Sequence, residues 1–139
     1  MLYYENVCPN CNGRISYERL VKLLPCEKCL PDNFLNELDK IKPGTFRFYK
    51  KVASLLRKNY ALKNYNKFVK LLKITNDFLN FFKKAIDSKA WNAQRMWAIR
   101  VFKNLSFAIM APTGTGKTTF LIVLSLYLAQ KFKKKIYFI

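Results

Sequence analysis

Residues 105–119 read Leu105-Ser106-Phe107-Ala108-Ile109-Met110-Ala111-Pro112-Thr113-Gly114-Thr115-Gly116-Lys117-Thr118-Thr119, a short apolar run feeding a glycine-bearing loop. Phe120 to Ala129 then continue apolar apart from Ser125, so the predicted order is strand, loop, helix. The loop follows the phosphate-binding pattern with alanine in place of its first glycine. Glycines let backbone N–H groups approach phosphate oxygens, and the following helix offers its positive N-terminal end. In that role Lys117 lies against the β- and γ-phosphates of ATP and the Thr118 hydroxyl ligates Mg²⁺. The competing reading, a chance glycine-rich turn, is disfavoured by the strand before and the helix after.

The helix is predicted from about Gly116 to Phe132, and Lys135-Ile-Tyr-Phe-Ile139 begins a second strand of the parallel type. The fold class expected here is therefore mixed α/β, with the chain stopping inside an open parallel sheet. Upstream, Trp91 to Lys103 has the pattern of an amphipathic helix, with Trp97 assigned to the core. Phe68, Leu71, Leu72, Thr75, Phe78, Leu79, Phe82 and Ile86 share one helical face, while Lys63, Lys67 and Lys70 line another. A shorter helical stretch begins at Pro31-Asp32 and ends at Lys42-Pro43-Gly44.

All four cysteines fall in two pairs, Cys8-Pro-Asn-Cys11 and Cys26-Glu-Lys-Cys29, with 14 residues between them. The spacing is one residue short of the usual interval, and it suits a tetrahedral Zn²⁺ held by four thiolates; a redox or disulfide role is the alternative. The chain has no histidine to compete as a nitrogen ligand. Four protein ligands leave no open position for water, so the zinc is expected to be structural.

A composition that is 51% hydrophobic and 16% aromatic excludes intrinsic disorder despite a formal net charge of +18. Residues 1–40 carry 5 basic and 6 acidic groups, residues 41–90 carry 13 and 2, and residues 91–139 carry 8 and 0. The surface facing a polyanion therefore lies after the cysteines, and its phosphate contacts would be independent of sequence. The N-terminal residues lack the basic stretch and apolar core of a secretory signal, and the longest apolar run is about half the ~20 residues needed to span a bilayer. A cytoplasmic protein without a membrane partner is expected. Lysine richness with only two glutamines fits a heat-adapted protein or a biased genome.

The loop with alanine at its first position resembles the first motif of superfamily-two helicases, in which an upstream glutamine recognises adenine. Gln94 matches that position, with Trp91 placed at the edge of the adenine pocket. More broadly, Cys8-Pro-Asn-Cys-Asn-Gly13, Leu24-Pro-Cys26-Glu-Lys-Cys29-Leu-Pro31, Phe78-x-x-Phe81-Phe82, Trp91-x-x-Gln94-Arg-x-Trp97-Ala-x-Arg100 and Ser106-Phe107 with the loop resemble the N-terminus of reverse gyrase. The resemblance implies a zinc finger fused to a RecA-like helicase module and a type IA topoisomerase that together introduce positive supercoils into DNA using ATP. It implies zinc ligands at Cys8, Cys11, Cys26 and Cys29, and nucleotide binding by Gln94 and by Ala111, Pro112, Thr113, Gly114, Thr115, Gly116, Lys117, Thr118 and Thr119. At the family's adenine-stacking position stands Ile86, with Phe82 the alternative.

The domain reading is a zinc ribbon at 1–40, a basic helical segment at 41–90 and the start of a RecA-like helicase domain at 91–139. The expected partners are DNA and the remaining helicase and topoisomerase portions. No acidic residue follows Asp87, so the carboxylates that bind Mg²⁺ and activate water in a helicase have no counterpart. No catalytic residue is assigned, and the chain is expected to be an inactive fragment by itself. Two further readings remain open: a zinc-ribbon superfamily-two helicase or translocase without a topoisomerase, and a stand-alone zinc module that binds nucleic acid.

Overall fold

The computed structural model describes residues 1–137 and divides into two compact units, Met1–Leu72 and Lys73–Ile139. In the first, β1 (Tyr3–Tyr4) pairs antiparallel with β2 (Ile15–Ser16), Tyr3 opposite Ser16 and Tyr4 opposite Ile15. The connection between them carries the first cysteine pair and turns at Asn6 and Asn12, both at φ 58, a left-handed backbone that asparagine tolerates. β2 runs directly into α1 (Tyr17–Val21), and a 3₁₀ helix over Asp32–Glu37 follows the second pair. The helix predicted from Pro31 is thus tighter and shorter than expected.

Gly44 at φ 82 reverses the chain, and Thr45 opens α2 (Phe46–Lys58) by accepting a hydrogen bond from the Phe48 N–H at 3.2 Å. Burial of Phe48, Tyr49, Val52, Ala53, Leu55 and Leu56 along one face leaves Arg47, Lys50, Arg57 and Lys58 in solvent. Each of the larger apolar side chains contributes roughly 1.5–3 kcal/mol on burial. The core of this unit joins Cys8, Cys26, Cys29, Ile15 and Leu30 to that face of α2 and to Tyr65 and Val69 of α3 (Tyr65–Ile86). The cysteine module and the first basic helix therefore share one interior.

The second unit packs the later turns of α3 with α4 (Asn92–Phe102) and α5 (Lys117–Phe132). Its centre is an aromatic cluster in which Phe78 meets Phe120 edge-on at 5.9 Å and Tyr127 at 5.4 Å. Trp97 joins it against Phe120 at 5.3 Å, as its place in the core predicted. Thr75, on the buried face of α3 as expected, has no hydrogen-bond partner for its hydroxyl.

The parallel sheet expected from the sequence is not formed among the described residues, whose only sheet is β1–β2. Residues 105–110 are not a strand, because a strand exists only through its ladder and no neighbour supplies one. Leu105 and Met110 are correspondingly open to solvent, Met110 at 94%. Of the second predicted strand, residues 135–137 show none and residues 138–139 lie outside the described residues. Leu121, Ile122 and Leu126 on α5 are also exposed. No helix among the described residues is long and apolar enough to cross a membrane.

Candidate metal centre and phosphate loop

The four cysteine thiols, expected from spacing alone to converge, all lie within 4.8 Å of one another. Four sulfurs at 2.3 Å from a tetrahedral Zn²⁺ would stand roughly 3.8 Å apart, so the set fits the ion without rearranging the backbone. Cys11 and Cys26 are already 3.6 Å apart, and none of the four is in a disulfide. Gly13 makes room for the cluster, since a Cβ there would stand 3.1 Å from the Cys11 sulfur.

Burial pushes the Cys26 and Cys29 thiols above the ordinary range. At Cys8 burial acts in the same direction, but hydrogen bonds from the backbone at Cys11, Cys26 and Asn10 outweigh it and bring the thiol below its usual value. The Cys26 N–H donates to the Cys8 sulfur at 3.2 Å, tying one pair to the other.

Two polar residues absent from the sequence-based site hold this cluster in place. Asn10, fully buried, donates from Nδ2 to the Ala61 carbonyl at 2.8 Å and accepts at Oδ1 from the N–H groups of Lys63 at 2.8 Å and Tyr65 at 3.3 Å. Arg19, 5% exposed, donates from Nη1 to the carbonyls of Pro25 at 3.0 Å and Leu30 at 2.7 Å, bracketing the second pair. Its guanidinium also pairs with Asp32 and stands 3.6 Å from Glu27, which accepts from the Ser16 hydroxyl at 2.5 Å. The carboxyl of Glu27 loses solvation here, yet the Ser16 bond and the Arg19 charge lower its pKa overall.

In the second unit Gly114 and Gly116 take φ 84 and φ 79, the left-handed conformations that demanded glycine, and Gly116 caps α5. The Thr115 hydroxyl closes the loop on the Pro112 carbonyl at 2.8 Å, and the Lys117 ammonium folds back onto the Ala111 carbonyl. Thr118 and Thr119 are exposed at the first turn of α5.

Gln94 is 4% exposed and joins the loop to α4: Oε1 accepts from the Trp91 N–H at 2.9 Å and Nε2 donates to the Gly116 carbonyl at 3.2 Å. Phe82 is fully buried against Phe78 and so has no free face for an adenine, whereas Ile86 is 37% exposed. Trp91 is 62% exposed.

Residues 1–48 match the family described as "Reverse gyrase zinc finger". The chain is 48% identical to "Reverse gyrase 2" of Aquifex aeolicus over 89% of its own length and 10% of that protein's. It is 40% identical to "Reverse gyrase" of Pyrobaculum aerophilum over 96% of its length and 10% of that protein's. The chain is a homologue of the reverse gyrases. It spans about a tenth of the length of these two relatives, and a similar protein of Thermococcus kodakarensis is matched over 94% of this chain and 7% of its own. The reverse gyrase zinc-finger match contains all four cysteines, Asn10 and Arg19. The partners of Asn10 at Ala61, Lys63 and Tyr65 lie beyond it.

Proposed function

We propose that this chain is the N-terminal portion of a reverse gyrase, an ATP-dependent type IA DNA topoisomerase that introduces positive supercoils. The observation that carries the reading is the similarity to reverse gyrases over 89–96% of the chain, which runs through both the cysteine cluster and the loop. Cys8, Cys11, Cys26 and Cys29 are assigned to a structural Zn²⁺, and the convergence of their thiols supports this.

The region from Ala111 to Thr119 is assigned to ATP with Mg²⁺, as the opening of a RecA-like helicase domain. The left-handed glycines, the apolar α5 and its exposed Leu121, Ile122 and Leu126 support that reading, since a sheet of such a domain would cover this face. Lys117 would exchange the Ala111 carbonyl for phosphate oxygens, and Thr118 would ligate the metal. Gln94 would read adenine with the lone pair and the amide proton that its bonds to Trp91 and Gly116 leave over. DNA and the remaining helicase and topoisomerase portions are its proposed partners, and the proposed location is the cytoplasm.

The test is plasmid supercoiling by the protein together with those portions. ATP-dependent positive supercoiling that disappears in Lys117→Ala supports the assignment, and supercoiling that survives this change rejects the role given to the loop.

A further inference from the structure

Asn76, Asn80, Lys83, Lys89, Asn92 and Arg95 converge on one groove of about 490 Å³ in the second unit. Asn76, Asn80 and Lys83 are spaced i, i+4, i+7 along one face of α3, Asn92 and Arg95 share a face of α4, and Lys89 comes from the segment between the helices. No carboxylate lines the groove, and among the described residues none of its three cations pairs with an acid.

A solvated helix face would not need this residue choice. Asparagine is a poor helix former, and at the exposed interior positions 76 and 80 lysine, glutamate or alanine would stabilise α3 better. Three like charges facing one concavity also repel one another without an anion between them. Cations and carboxamide donors in one open groove match the phosphate and sugar edge of a nucleic-acid strand, to which arginine, lysine and asparagine side chains commonly bond.

We infer that this groove holds the sugar-phosphate backbone of a nucleic-acid strand, at a site separate from the phosphate loop. None of Ala111 to Thr119 lines it. The two sites share α4, whose Gln94 bonds to Gly116 while the adjacent Arg95 faces the groove. The inference rests on the reading of an enzyme that acts on DNA only for the kind of strand.

The experiment is fluorescence anisotropy of a short mixed-sequence oligonucleotide with the zinc-loaded chain, without nucleotide. The variants are Lys83→Gln/Lys89→Gln/Arg95→Gln, the neutral pair Asn76→Ala/Asn80→Ala, and a charge-matched control, Lys131→Gln/Lys133→Gln/Lys134→Gln. All these side chains are exposed, and thermal melting checks that each variant folds. The groove triple should weaken binding and reduce the slope of log affinity against log salt by roughly 2, about 0.7 per cation. The asparagine pair should weaken binding with the slope unchanged, and the control should do less than the groove triple. Equal losses from control and groove triple, or no loss from the asparagine pair, would overturn the site. Competition by inorganic phosphate beyond its ionic strength would mark a free-anion site instead and reject the strand. Because ATP plays no part, the groove can fail here while Lys117-dependent supercoiling stands.

Discussion

The side-chain oxygen of Asn10 accepts the backbone N–H of Lys63 at 2.8 Å, so a residue inside the first cysteine pair fastens the loop that joins α2 to α3. Asn10→Ala would leave the buried groups of this clamp unpaired, at a cost of about 2 kcal/mol or more. Asn10→Asp keeps the acceptor but buries a carboxylate whose second oxygen faces the Ala61 carbonyl, so it should cost at least as much. Chemical denaturation of the zinc-loaded chain measures both, and equal stability of Asn10→Ala and wild type would contradict the clamp.

Removal of metal should reach beyond the cysteines, because their side chains share a core with α2 and the first turns of α3. A chelator should open residues 1–72 to protease while the fragment from Lys73 onward stays protected. Limited proteolysis followed by mass spectrometry reads this directly; cleavage confined to residues 1–40 would show that the shared core holds without the ion.

Arg19 has two carbonyl partners that no other side chain replaces. Arg19→Ala should cost about 2–3 kcal/mol through the unpaired Pro25 and Leu30 carbonyls. Arg19→Lys should recover less than half of that, since an ammonium cannot reproduce the planar fork. Melting temperatures of the two variants provide the comparison.

Gly116→Ala meets two obstacles, a left-handed φ of 79 and a Cβ only 2.7 Å from the Gln94 amide nitrogen. The backbone part should cost about 1–2 kcal/mol. Adding Gln94→Ala should relieve the clash and leave the backbone cost. A double-mutant cycle showing strict additivity would mean that the two residues are not in contact.

Thr75→Val should raise stability by about 1 kcal/mol, because it replaces a buried hydroxyl lacking a partner with a methyl of the same shape. Urea unfolding detects a gain of that size, and a loss would indicate a bond to the hydroxyl.

The features legible in the sequence were those carried by spacing. Two Cys-x-x-Cys pairs can converge only by bringing their turns together, and Gly114 and Gly116 occupy positions where the chain needs positive φ. Asn10 and Arg19 are not marked locally in the sequence, since their partners are 51 to 55 residues away or are backbone carbonyls. Burial of Arg19 became visible only with the second pair folded around it. The strand predicted at residues 105–110 failed for a different reason. Its apolar pattern states a need for neighbours, and the described residues provide none. Gln94 was singled out through its partnership with the loop, but its bond to Gly116 is a tertiary detail that no periodicity encodes.

The uncovered stripe of Leu121, Ile122 and Leu126 sits on a molecule with formal charge +18. Copies of the chain therefore repel at long range and attract at short range, and ionic strength decides between the two. Repulsion reaches about 30 Å at 0.01 M salt and about 10 Å at 0.1 M. A solution that stays clear in dilute buffer should turn turbid as salt is added, in the reverse of the usual remedy for a basic protein that sticks to its neighbours.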